Sequence, residues 1–82
     1  MTPHAKEYFN YFDIAQDEVV LCEICGKKAN DIHHINGRGK GMDVISNLIA
    51  LCRDCHNAAH GLTKTYLHPD VVQAIHDKNL KK

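Results

Sequence analysis

Between Asp31 and His60 the chain reads D-I-H-H-I-N-G-R-G-K-G-M-D-V-I-S-N-L-I-A-L-C-R-D-C-H-N-A-A-H. Histidine pairs stand at both ends, His33-His34 and His56/His60, with Asn47 between them. Two C-x-x-C pairs interlock with this stretch: Cys22/Cys25 just upstream and Cys52/Cys55 inside it. Four thiolates in two close pairs are the donor set of a closed tetrahedral zinc site. Imidazoles offer a different chemistry, since a neutral ring gives its lone pair either to an ion or to a proton. The residues therefore point to two centres, a structural ion on sulfur and a second ion on histidine beside a free base.

The spacing supports both. Two residues between thiols let a tight turn aim both sulfurs at one ion, and Gly26 supplies permissive backbone just after the first pair. The 26 residues between the pairs leave room for an inserted strand, loop and strand. His56 and His60 are four apart on an expected helix, so their rings share a face. His33 and His34 are adjacent, and neighbouring side chains on a regular strand point to opposite faces. One of them can hold an ion while the other, free of metal, deprotonates water, which is the division that metal-assisted hydrolysis needs. The residues alone do not say which histidine takes which part.

The elements that must position these groups follow from the pattern. Thr2-Pro3 marks a helix start, and Ala5, Tyr8, Phe9 and Phe12 continue it as an amphipathic helix over residues 3–12. Val19-Val20-Leu21 is a short apolar run expected as a strand or extended segment leading into the first C-x-x-C. Residues 29–35 form a strand ending in His33-His34-Ile35, followed by the glycine-studded loop N-G-R-G-K-G. Leu48 to Leu51 form a second strand, and a helix runs from about Arg53 to His60, stopped by Gly61. Pro69 opens a last helix through Val71, Val72 and Ile75 to about Leu80. The aromatic residues of the first helix cover the core; His4, His68 and His76 receive no role. Asp31 reads as a plain strand-end carboxylate, with a hydrogen bond to a ligand imidazole as the alternative.

Length and composition bound the answer. With 82 residues, an apolar core supplies only about 3–5 kcal/mol, so a metal staple is expected. No run approaches the ~18 apolar residues of a membrane span, and no secretory pattern opens the chain. The thiols are therefore expected reduced and on metal rather than in disulfides. Net charge is zero with histidine neutral, so the overall field does not advertise a polyanion partner. The distribution is less even: residues 1–21 carry Lys6 against four carboxylates, while residues 22–64 carry Lys27, Lys28, Arg38, Lys40, Arg53 and Lys64 against Glu23, Asp31, Asp43 and Asp54.

The order H-H…N…C-H-x-x-x-H, framed by C-x-x-C pairs and containing N-L-I-A-L-C-R-D-C-H, resembles the HNH endonuclease family of ββα-metal (His-Me finger) nucleases. The resemblance covers about residues 20–61. It implies a small α+β fold: a ββα-metal core clamped by a four-cysteine zinc site, with flanking N- and C-terminal helices, residues 1–82 forming one domain. Carried over by position, His34 is the general base. His33, where the family often has aspartate, is a metal ligand, as in the histidine-rich nuclease colicins. His56 and His60 complete that site, His60 being the most variable position, and Asn47 braces the long loop and fixes the base. Cys22, Cys25, Cys52 and Cys55 hold structural Zn2+.

The implied reaction is single-metal hydrolysis of DNA phosphodiesters, leaving 5′-phosphate and 3′-hydroxyl ends. The catalytic ion is Zn2+, Ni2+, Mn2+ or Mg2+. Arg38, Lys40 and Arg53 are the phosphate-contacting cations, with glycines 37, 39 and 41 letting their loop approach the backbone. Little chain remains for a recognition domain, so low sequence specificity or a protein partner is expected. A compact form of this kind fits a phage or mobile element acting in the cytoplasm of a bacterial or phage-infected cell. A non-catalytic, zinc-stabilised DNA-binding module is the alternative, and a redox dithiol protein lacks its usual context of alternating strands and longer helices.

Overall fold

A computed structural model describes residues 2–15 and 17–81. In chain order they form helix α1 (Pro3–Tyr11), strand β1 (Asp31–His34), a 3-10 turn (Ile45–Asn47), strand β2 (Leu48–Leu51), helix α2 (Arg53–Ala59) and helix α3 (Pro69–Leu80). The two strands pair antiparallel as the sole sheet of the described residues, α2 follows at once, and the other helices flank this unit. The fold is small α+β. No described helix is long and apolar enough to cross a membrane.

Each helix begins on a side chain that satisfies a free backbone N–H. The Thr2 hydroxyl accepts from Ala5 N at 3.3 Å, and His68 Nδ1 accepts from Asp70 N at 3.4 Å; a proline follows each cap. The cap of α2 is Cys52, whose sulfur accepts from Cys55 N at 3.4 Å. A metal-type thiol and a helix cap are thus one atom.

The expected segment Val19–Leu21 does not join the sheet. Leu21 makes a single bridge to Lys28, and Ala29 N donates to Val20 O at 2.8 Å. These bonds close the turn around the first cysteine pair; Val19 and Leu21 stay exposed, and Val20 alone packs toward Leu48 and Ala50. The first strand also begins two residues later than expected and stops at His34. Asn30 N and Ile35 N still donate across to Leu51 O and Asn47 O, which extends the pairing past both ends.

β2 explains the core. Its four residues are each 0 % exposed, so both faces are covered, as an unbroken apolar run demands. Ile49 and Leu51 pack with Ile35 and Val72 beside the cysteines, and Leu48 and Ala50 pack with Tyr8 of α1. The register sets His33 opposite Ile49 and His34 opposite Leu48. Residues directly opposite share a face. His33 therefore lies on the side of α2, and His34 on the side of α1.

One buried carboxylate ties the flanking helices to this unit. Glu23, inside the first cysteine pair, accepts from Tyr8 Oη (2.6 Å), Asn79 Nδ2 (2.9 Å) and His76 Nδ1 (2.9 Å). His76 is 0 % exposed, and its other nitrogen meets Ile45 O at 2.6 Å. Both ring nitrogens face acceptors, so both must carry protons and His76 is an imidazolium. Burial alone would lower the His76 pKa, but the bonds to Glu23 and Ile45 raise it above 6.5. Burial likewise would raise the Glu23 pKa, and His76, Tyr8 and Asn79 bring it below 4.5.

The sign of the pH dependence follows. A raised histidine pKa gives stability that is complete below 6.5 and is lost as pH climbs through the folded value; a lowered carboxylate pKa gives stability complete above 4.5 and lost on acidification. His76→Leu strands a buried carboxylate and is expected to cost about 3–5 kcal/mol near pH 6 in urea unfolding of the metal-loaded protein. The gap between wild type and variant should narrow as pH climbs above 6.5 through the raised folded value and wild-type His76 loses its proton. A pH-independent gap would contradict the charged state.

Candidate functional site

The knuckle at Cys22–Gly26 is held by its own backbone, with Gly26 N donating to Cys22 O at 3.0 Å and Cys22 N to Lys27 O at 2.7 Å. Gly26 sits at φ +81°, where a side chain would be strained. Glu23 N donates to Ala50 O at 3.0 Å, which docks the knuckle onto β2 directly ahead of Cys52. The four sulfurs of Cys22, Cys25, Cys52 and Cys55 consequently lie within 4.8 Å of one another, Cys25 and Cys52 at 3.5 Å. A tetrahedron with ~2.3 Å zinc–sulfur bonds has edges of about 3.8 Å, so the set fits one such ion. All four are free thiols rather than disulfides.

Burial pushes the Cys22 thiol up, but backbone hydrogen bonds at Cys25, Cys52 and Ile24 bring it down to about 7. Burial and the neighbouring sulfurs push Cys55 well up. The four sulfurs could all become thiolates only with positive charge among them, which an ion of the zinc type would supply.

On the α2 side of β1, His33 meets His56 and His60. Their donor nitrogens lie within 4.8 Å of one another, His56 Nε2 and His60 Nε2 at 3.0 Å. His60 falls one residue beyond α2 as its cap, yet His60 N still donates to His56 O at 3.1 Å, which keeps the two rings on one face. His56 Nδ1 donates to Asp31 Oδ2 at 2.8 Å, so its Nε2 carries the lone pair toward the other rings. Asp31 is therefore not a plain strand-end carboxylate; it sets the tautomer of His56. Burial, reinforced by His56 and His60, lowers the His33 pKa to about 4, so this ring is neutral and its lone pair free.

On the α1 side, His34 Nε2 donates to Asp43 Oδ1 at 2.7 Å. Its Nδ1 is buried and has no hydrogen-bond partner among the described residues. The ring of His4 packs against it with centroids 4.5 Å apart. Sequence reasoning passed over both Asp43 and His4. A carboxylate in the loop directly after a histidine pair is a weak signal, and His4 lies 30 residues upstream of His34 on a helix whose docking site the sequence did not reveal.

Asn47 closes the loop between the strands. Its Oδ1 accepts from Asn36 N at 2.8 Å, and its Nδ2 donates to Gly37 O at 3.1 Å and Met42 O at 3.0 Å. It touches both ends of the glycine segment and not the His34 ring; the ring is held by Asp43, the residue after Met42. Asn47 thus acts on His34 at one remove.

His33, His34, Arg38, His56 and His60 line a common cleft of about 120 Å³. Arg38 also borders a larger groove of about 570 Å³ between α1 and β1, with Phe9, Ile32 and His56. Arg53, at the start of α2, is exposed, with Nη2 3.7 Å from Asp31 Oδ2. Lys40 is exposed on the glycine loop and borders neither cavity. Of the three expected phosphate-contacting cations, the fold brings Arg38 alone to the cleft wall.

No curated protein and no solved structure matches the chain. A family model does: residues 22–61 match the one described as HNH endonuclease, a span that begins at the first knuckle cysteine and ends one residue past His60. Over that stretch, which holds both cysteine pairs, the paired strands and α2, the chain is similar to the HNH endonuclease family.

Proposed function

We propose that the protein is a metal-dependent endonuclease that hydrolyses DNA phosphodiester bonds, with His34 as general base and His33, His56 and His60 as the ligands of one catalytic divalent ion. The observation that carries this reading is the pairing of two unlike centres on one strand: three imidazoles grouped on one face, and next to them a buried histidine whose lone-pair nitrogen has no partner, all bordering one cleft.

The roles follow from the proton positions. His34 Nε2–H is committed to Asp43, so Nδ1 is the atom that takes a proton from water. Asp43 stabilises the imidazolium that forms and keeps the ring from turning, as the carboxylate behind a catalytic histidine does in other hydrolases. Asp31 holds His56 in the tautomer that leaves Nε2 for the ion. His33, His56 and His60 would hold the ion, which when bound would supply Lewis acidity to offset negative charge developing in the reaction. Arg38 contacts the same phosphate from the cleft wall, while Lys40 and Arg53 meet flanking phosphates at the rim.

We further read the four cysteines as the ligands of a structural Zn2+, and residues 1–82 as one domain. Three neutral imidazoles suit Zn2+ or Ni2+, with Mn2+ and Mg2+ the candidates by family resemblance. With one arginine at the cleft, contact is directed to the backbone, which fits DNA of low sequence specificity or a protein partner that selects the site. Reduced thiols fit a cytoplasmic setting in a bacterium or a phage-infected cell.

Supercoiled plasmid tests the reading. With Mg2+, Mn2+, Ni2+ or Zn2+ added in turn, the wild type should nick it, and His34→Ala should slow nicking by about 10²–10⁴-fold with the thiolate-bound zinc and circular dichroism unchanged. Equal cutting by the variant would sink the assignment of the base, and DNA binding without cutting under all four ions would favour the zinc-stabilised binding module. Asn47→Ala should destabilise the protein by about 1–3 kcal/mol through its stranded loop groups, and speed hydrogen exchange at Asn36. Stripping the thiolate-bound ion with a strong chelator should unfold the chain, since such an ion is worth on the order of 10 kcal/mol. Circular dichroism reads that loss directly.

A further inference from the structure

A second group of metal-type ligands lies on the far face of β1. His4, His34 and Asp43 each offer a donor atom, and the three donors lie within 4.8 Å of one another. They come from three separate places: His4 from α1, His34 from β1 and Asp43 from the loop after it. Two features mark the group as more than a surface coincidence. His34 is over nine-tenths buried, and its Nδ1 has no partner among the described residues. The ring of His4 lies directly against that of His34, with centroids 4.5 Å apart. Two imidazoles and a carboxylate are a donor set for zinc and other first-row ions, with a further position left for water.

We propose that His4, His34 and Asp43 form a second, inhibitory zinc site, whose occupation silences the base of the nuclease reading above. The consequence is the same whichever nitrogen of His34 is used. If the ion takes Nδ1, the lone pair that accepts the water proton is gone. If it takes Nε2, the proton now shared with Asp43 leaves that nitrogen, and a neutral ring must carry it on Nδ1, which again has no lone pair. Asp43 is half exposed, so an ion can reach the group without opening the core. The three-imidazole site on the other face shares no ligand with it. Cutting should therefore rise as the His33/His56/His60 site fills and fall as the second site fills, and zinc would act as both cofactor and brake.

The binding half is tested without any reference to cutting. In a His56→Ala/His60→Ala background, which removes the three-imidazole site, equilibrium dialysis against Zn2+ should find one ion beyond the thiolate-bound one. Adding His4→Gln, or separately Asp43→Asn, should weaken that ion by about tenfold or more, since even an outer partner of a metal ligand carries such a cost. Unchanged stoichiometry and affinity in both variants would overturn the site, and so would the absence of the extra ion from the background protein. The thiolate-bound zinc and circular dichroism report whether each variant folds. For the inhibitory half, nicking by the otherwise wild-type protein should fall at high Zn2+, and His4→Gln should resist to about tenfold higher Zn2+ or more, matching its loss of affinity. Parallel inhibition of the two proteins would overturn the brake. No cutting at any Zn2+ concentration would instead fall on the nuclease reading, and the ion count would still decide the site.

Discussion

A strand pleats with a period of two, and in this protein that single constraint separates two chemistries. His33 and His34 are neighbours in the chain, yet the register of β1 against β2 sends one toward α2 and the other toward α1. β2 cannot slip by one residue, because Leu48 and Ala50 fill one core while Ile49 and Leu51 fill another. The burial of four apolar side chains therefore decides which imidazole joins the group with His56 and His60 and which stands apart with a free lone pair. A register error would exchange the two.

A chain this short does not hold such a hairpin in place with apolar area alone. Two polar devices assist it, and they meet at Glu23. This residue lies between Cys22 and Cys25, so the turn that aims the sulfurs also places a carboxylate under Tyr8, His76 and Asn79. The sulfur cluster joins the knuckle to the start of α2, and Glu23 joins the knuckle to α1 and α3. Removing charge from either centre leaves buried groups unpaired, which is costlier than never having built them.

Histidines in two proton states serve three purposes. His76 carries both protons because it faces only acceptors, and it is structural. His33 is kept neutral by burial among other rings, as an ion requires. His34 and His56 each spend one nitrogen on an aspartate, which decides the nitrogen left over. Those carboxylates, more than the rings, determine what each histidine can do.

The local chemistry was written in residue order and spacing. The C-x-x-C pairs, the i, i+4 relation of His56 and His60, the helix starts at Thr2-Pro3 and Pro69, and the apolar run of β2 all act over a few residues, and each formed where its pattern indicated. What could not be read were contacts made by long loop closures. Asp31 beneath His56, Asp43 behind His34, His4 against the same ring and Glu23 beneath His76 join positions 9 to 53 residues apart. An isolated carboxylate or histidine has no period and no cap signature; its partner is settled only when both faces of β2 are covered and the helices take their places. The sequence by itself determined which side chains can bind ions or protons. The tertiary structure alone decided which of them share a face, and so which hold a proton, which lack one and which can accept it.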